Sequence, residues 1–258
     1  MANATEAYRF AMPTRTHAET TFLAGMEEAA RKSITSNVER FRAFPLWAPR
    51  QDIARFLAQY EIYSKHVLPV HGSVIECGVC FGGGLMAWAH FASILEPVNH
   101  TRRVIGFDTF SGFPGIAPQD AKSKSGLAEA GGMAAPVEDE IAHLAELHDM
   151  NRPLGHIPRV ELVKGDACEK IPRYVQENRH LVVALLVLDF DLYNPTKTAL
   201  DCFVPLMPKG GVIVFDEANC KDWPGETEAL LDFERETGLR LPLTRFPFAS
   251  TLSYAVLA

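Results

Sequence analysis

Five apolar runs in this 258-residue chain each stop on a carboxylate. SVIECGV carries Glu76, RVIGFD ends at Asp108, and RVELVKGD ends at Asp166. LVVALLVLDFD ends at Asp189 and Asp191, and GGVIVFDE ends at Asp216 and Glu217. Short apolar runs bounded by turn residues read as strands buried on both faces. Helical segments separate several of them: LMAWAHFASIL, ACEKIPRYVQEN, PTKTALDCFVPLM and GETEALLDFERETG. Strand alternating with helix predicts an α/β fold, a mostly parallel sheet with helices on both faces. The terminal TLSYAVLA reads as one more strand, closing a sheet edge.

Before the first strand the chain reads as helix and loop. Ile53, Phe56, Leu57, Tyr60 and Val67 recur at helical spacing, which predicts an amphipathic helix from Pro49 to His66. The expected organisation is an N-terminal helical extension over residues 1–50 and a single domain over 51–258. Residues 111–159 interrupt the alternation with a long stretch rich in Gly, Pro, Ala and Lys, in which only VEDEIAHLAELHDM is clearly helical. A connection of that length predicts a lid-like insert.

A formal net charge of −7 argues against nucleic acid or an anionic membrane as a partner and leaves a small molecule. The N-terminal stretch is polar, without an apolar signal core, and no apolar run is long enough to span a bilayer. The cysteines, Cys77, Cys80, Cys168, Cys202 and Cys220, include one CxxC spacing with no second pair. They read as small buried side chains in a reduced, cytoplasmic protein.

Ligands of open parallel sheets bind beyond the carboxyl ends of the strands, so the acids should gather on one rim. VIECGVCFGGG places Glu76 before Gly78, Val79, Gly82 and Gly83. Glycines there let backbone approach a ligand and start a helix. A dinucleotide site would prefer G-x-G-x-x-G with no acid inside it, because a pyrophosphate must sit there. Glu76 repels a pyrophosphate and suits a cofactor with a cationic end, such as S-adenosylmethionine. Asp108 is then placed for the ribose hydroxyls, and Asp166, followed by Ala167, for the adenine amino group. Each of these acids has a plainer reading as a helix cap.

LDFDLYNPTKTAL and GGVIVFDE are expected on adjacent strands, which brings Asp189, Asp216 and Glu217 together. Three carboxylates without histidine suit Mg2+ or another hard divalent cation, able to hold and acidify a substrate hydroxyl. Asp189 touching only the cofactor is the alternative. Asp189 and Asp191 are the candidate catalytic acids, with insert residues His143, His148 and His156 as further candidate bases. Trp223 and Phe113 read either as pocket walls or as packing, as does Trp47.

VIECGVCFGGG, GFDTFSGFP, LDFDLYNPTKTAL and GGVIVFDEANCKDWPGETEALLDF together resemble the macrocin O-methyltransferase family, from about Phe44 to Phe233. The resemblance implies a class I, Rossmann-like, seven-stranded sheet with an antiparallel C-terminal strand. It implies S-adenosylmethionine-dependent methylation of a sugar hydroxyl on a natural product. Glu76 and Asp108 match the family's cofactor acids, and Asp108, Thr109 and Phe110 its turn over ribose and adenine. Asp189 and Asp216 match its metal site. Glu217 stands where the family has a second aspartate, and EANCKDWPG replaces a tyrosine-bearing turn. A metal-dependent hydroxylase, a dehydrogenase and a non-catalytic cofactor-binding domain are the rival readings. The helical extension is available for a homodimer contact.

Overall fold

A computed structural model describes residues 16–249 and 252–258. Residues 1–15 of the extension, and Thr251 at the start of the closing strand segment, lie outside the described residues. Helices α1 (His17–Lys32) and α2 (Asn37–Arg42) each begin with a capping box, Thr16 with Glu19 and Ser36 with Glu39. In each box two otherwise orphaned N–H groups find acceptors. A short α3 (Phe44–Trp47) follows, and none of these three helices buries a residue. Helix α4 (Arg50–Ile62) starts after Pro49 and runs on through a wider turn at Tyr63–Val67, close to the predicted span.

The sheet consists of β1 (Ser73–Cys77), β2 (Val104–Asp108), β3 (Val160–Lys164), β4 (Val183–Leu188), β5 (Val212–Phe215), β6 (Thr244–Arg245) and β7 (Ser253–Val256). Its spatial order is β3-β2-β1-β4-β5-β7-β6. The first five strands are mutually parallel, and β7 runs antiparallel to both neighbours. Helices α5 (Gly83–Leu95), α6 (Glu138–Asp149), α7 (Ala167–Glu177), α8 (Tyr193–Phe203) and α9 (Pro224–Thr237) complete the chain.

Side-chain alternation along the strands splits the core into two layers. Val74 of β1 joins Trp88, Phe91, Leu185 and Val214 on one face. Ile75 joins Phe107, Leu186, Phe203, Phe215 and Phe233 on the other. Each large apolar side chain so buried contributes about 2–3 kcal/mol. Among the described residues no helix is long and apolar enough to cross a membrane, and all five cysteines are free.

The insert is ordered and docked. Asp120, 2% exposed, accepts from Tyr193 N of α8 at 2.9 Å and from Ala117 N at 3.1 Å. Ile141 of α6 packs on Gly82, where a Cβ would come within 2.9 Å of its side chain. Phe113 meets Trp223 edge-on, with ring centroids 5.8 Å apart.

Candidate active site

Strand register explains why the acids converge. Cys77 of β1 pairs with Leu188 of β4, which pairs with Phe215 of β5. The next residue on each strand, Gly78, Asp189 and Asp216, therefore stands at the same edge. Asp189 N donates to Cys77 O at 2.8 Å and Asp216 N to Leu188 O at 3.1 Å, which holds the three ends together. A Cβ on Gly78 would lie 1.9 Å from Asp189 O, so only glycine fits there, at φ +95°.

Beyond this edge lies a cavity of about 980 Å³. Glu76, Gly78, Val79, Gly83, Gly84, Asp108 and Thr109 line one part, with Asp166 and Ala167 beside them. Asp189, Asp191, Asp216, Glu217 and Trp223 line another, under Phe113 and Met133 of the insert.

The glycine turn is built around two carboxylates. Asp108 Oδ2 accepts from Val79 N and Cys80 N, both at 2.8 Å, and its Oδ1 from Phe110 N at 2.7 Å. Asp108 thus clamps the turn to the end of β2 while still facing the cavity. Glu76 is 3% exposed, its Oε2 has no partner, and a Cβ on Gly84 would lie 2.8 Å from its carboxylate oxygens. Burial pushes the Glu76 pKa up to about 8, against the attraction of Arg55. A buried carboxylate with one oxygen left unpartnered, beside a glycine that keeps it clear, fits a ligand with a cationic group, and S-adenosylmethionine is such a ligand.

Several predicted residues sit elsewhere. Phe110, at φ +56°, packs into the apolar core and not into the cavity wall, where Phe113 stands instead. Gly82 serves the contact with Ile141, and Gly84, not predicted, takes the place beside Glu76. Asp166 caps α7 through Cys168 N at 2.9 Å and also lines the cavity. No histidine lines the cavity: His143 and His156 are exposed, and His148 stacks edge-on against His90 at 4.6 Å. Trp47 lies under the Arg40 guanidinium, 5.0 Å from its ring, away from the site.

The acid rim holds a residue that the sequence reading missed. Arg55 of α4 donates from Nη2 to Asp189 Oδ2 at 2.7 Å and from Nη1 to Asp216 Oδ1. Phe56 packs tilted and Tyr60 edge-on against Phe91 of α5, at 4.8 and 5.7 Å between centroids, and so they fix α4 above the rim. In sequence, Arg55 reads as an ordinary charged position on an amphipathic helix; the clue available was the surplus of acids requiring a cation. Around this pair the other acids are crowded. Burial and then Asp216 push the Asp189 carboxyl well above the usual range, against Arg55. Burial and then Glu217 do the same to Asp191. Burial and then Asp216 raise Glu217 to about 7. Glu226 of α9, fully buried, accepts from Glu217 N at 2.8 Å.

This arrangement does not fit a divalent ion shared by Asp189, Asp216 and Glu217. The guanidinium engages one oxygen of each aspartate, Asp189 Oδ2 and Asp216 Oδ1, and puts a positive charge between them where such an ion would lie. Among the described residues, no group of three His, Cys, Asp or Glu is arranged to hold a metal. Asp191, 8% exposed and at φ +62°, accepts no hydrogen bond among the described residues. A non-glycine residue held in the left-handed region is the kind of strain that collects at functional sites.

Comparison with known proteins agrees with the fold and the motif order. Residues 56–252 match the macrocin O-methyltransferase (TylF) family. CalS11, a calicheamicin methyltransferase, superposes with a TM-score of 0.87 at 32% identity, over 96% of this chain and 95% of that one. An apo structure of CalS11, described as a TDP-rhamnose 3'-O-methyltransferase of calicheamicin biosynthesis, gives 0.79 at 31% identity, over 96% and 97%. The O-methyltransferase NovP, 18% identical, shares the fold with a TM-score of 0.64 over 80% of each chain. No curated protein matches. With the family match spanning most of the chain and CalS11 alike over nearly all of it, the chain belongs to the macrocin O-methyltransferase family.

Proposed function

We propose that this protein transfers a methyl group from S-adenosylmethionine to a hydroxyl of a sugar, or of another small natural product. The observation that carries the reading is the cavity itself. Glu76, buried with its Oε2 unpartnered, stands beside a glycine turn at one part, and an unbonded Asp191 stands at another. Its volume of about 980 Å³ is of the size of small-molecule and cofactor sites. The activity of CalS11 on a nucleotide sugar supports a sugar acceptor here.

S-adenosylmethionine, when bound, supplies an electrophilic methyl on a sulfonium. Glu76, ionised, would hold its cationic end. Asp108 holds the Val79–Cys80 turn in shape, with Thr109, Asp166 and Ala167 as the remaining wall on the nucleoside side. Asp191 would take the acceptor's proton as the C–O bond forms and the methyl–sulfur bond breaks, the electron pair staying on sulfur in the departing S-adenosylhomocysteine. Its carboxyl, raised by burial and by Glu217, is a better-matched base than an exposed aspartate. Asp189, held by Arg55, orients the acceptor. Positioning two reactants in one cavity supplies much of the acceleration. The divalent ion implied by the family resemblance receives no step, because Arg55 stands between its ligands.

Residues 51–258 form the catalytic unit in this reading, with 111–159 as the lid on the acceptor side. The extension 1–50 serves a contact between two copies. That α1 to α3 bury nothing of their own supports this, and light scattering tests it. Incubation with S-adenosylmethionine and a panel of nucleotide sugars and glycosylated natural products, read by mass spectrometry, tests the activity. Failure to bind S-adenosylhomocysteine by calorimetry would defeat it.

A further inference from the structure

We propose that Arg55 is the resident cation of the acid rim: its guanidinium, in place of a divalent metal, bridges Asp189 and Asp216 and positions both. The inference rests on reading the cavity as a methyl-transfer site. The two carboxylates arrive from different strands, and each meets its own guanidinium nitrogen. A planar fork with two separated donors matches two carboxylates in a way a lysine cannot. A Mg2+ ion would need oxygens at about 2.0–2.1 Å in near-octahedral array. One oxygen of each aspartate, Asp189 Oδ2 and Asp216 Oδ1, is taken by Arg55, and its charge opposes a second cation beside it. The third expected ligand, Glu217, belongs to a segment fastened to α9 through Glu226 Oε1 at 2.8 Å.

Arg55 is no loose surface arm. Its neighbour Phe56 packs against Phe91, and the Arg55 and Asp216 side chains are 33% and 11% exposed. Arg55 is therefore a positioning residue: it holds Asp189 over the cavity without itself taking a proton. A guanidinium is a poor Lewis acid beside a divalent metal. It leaves removal of the acceptor's proton to a carboxylate, and Asp191 is the one in the cavity wall with no hydrogen-bond partner among the described residues.

The test is a Mn2+ titration of the wild-type protein and of Arg55→Ala, Arg55→Met, Arg55→Lys, Asp216→Asn and the Arg55→Ala/Asp216→Asn double variant. Binding is read by calorimetry and by the Mn2+ paramagnetic resonance signal, with S-adenosylhomocysteine binding measured in parallel. The wild type and Arg55→Lys should take up no saturable Mn2+ up to about 1 mM, the weak end of protein divalent sites. EDTA should leave the wild-type melting temperature unchanged. Arg55→Ala and Arg55→Met should gain one site at least roughly tenfold tighter, about 1.4 kcal/mol, and the double variant should lose it. One Mn2+ bound by the wild type and lost in Asp216→Asn would overturn the proposal. So would folded Arg55→Ala and Arg55→Met proteins that bind no more Mn2+ than the wild type. Should those variants not fold, the wild-type and Asp216→Asn titrations decide it alone. Loss of S-adenosylhomocysteine binding in the wild type would instead strike the methyl-transfer reading, leaving the cation result standing.

Discussion

Arg55 donates to Asp189 at 2.7 Å across 134 positions of sequence, and through this bond helix α4 is joined to the carboxyl edge of the sheet. The same guanidinium reaches Asp216, so one cation serves two acids. Arg55→Met should therefore destabilise the fold by about 1–3 kcal/mol at pH 8, less than for a fully buried pair because the Arg55 and Asp189 side chains keep 33% and 28% exposure. Near pH 4 the cost should shrink, since the Asp189 carboxyl left behind, pushed well above the usual range by burial, is then protonated. Urea unfolding at the two pH values checks both the size and the trend.

Glu76 gives the clearest pH signature. Its folded pKa of about 8 lies above the ordinary glutamate value of 4.5, so the folded protein holds this proton more tightly than the unfolded chain. The associated stability is fully present below pH 4.5 and is lost as pH rises through 8, a fall on the order of 5 kcal/mol. Glu76→Gln should flatten that part of the stability profile. A cationic cofactor favours the ionised form, so binding at pH 7 should release a proton in the wild type and none in Glu76→Gln. Calorimetry in buffers of different ionisation enthalpy measures the difference.

Neighbouring glycines should respond unequally. A Cβ at Gly84 would stand 2.8 Å from both Glu76 oxygens, whereas one at Gly83 meets nothing within 4 Å. Gly84→Ala should weaken S-adenosylhomocysteine binding by at least roughly tenfold, about 1.4 kcal/mol. Gly83→Ala, whose Cβ meets no protein atom although Gly83 also lines the cavity, should weaken affinity less than Gly84→Ala and stabilise α5 by about 0.5–1 kcal/mol. Equal affinities in the two variants would count against Glu76 as the cofactor's partner.

Asp108 and Asp216 separate the two halves of the cavity. Asp108→Ala removes an acceptor for three backbone N–H groups and should cost about 2–4 kcal/mol of stability together with cofactor affinity. Asp216→Asn should keep S-adenosylhomocysteine affinity within roughly threefold, under about 0.7 kcal/mol, and lower turnover instead. Denaturation and calorimetry on the same preparations distinguish the outcomes.

The insert depends on Asp120. Asp120→Ala leaves the N–H groups of Tyr193 and Ala117 without their acceptor in a site that is 2% exposed. A local loss of about 2–3 kcal/mol follows. Hydrogen exchange over residues 111–135 should accelerate while β1, β4 and β5 keep their protection. Unchanged exchange in the insert would show that other contacts hold it.

The alternation of apolar runs with helices determined the parallel sheet, because a strand buried on both faces and followed by a helix has few other places to go. The terminal acids determined a rim: register carries Gly78, Asp189 and Asp216 to one edge whatever the loops do. Glu76 and Asp108 were legible for the same reason, since each belongs to a strand end. Side-chain direction inside turns was not legible. Phe110 turns into the core, Gly82 yields to Ile141, and Gly84 proves to be the glycine that clears Glu76. Those outcomes depend on φ angles and on contacts with residues distant in sequence. The cation was hidden most completely. Arg55 lies on a helix before the first strand, and only the packing of Phe56 and Tyr60 on Phe91 brings it over acids from β4 and β5. Local sequence determined where negative charge would gather, because strand ends are local; what answers that charge was decided by tertiary packing, because the neutralising group comes from a distant segment.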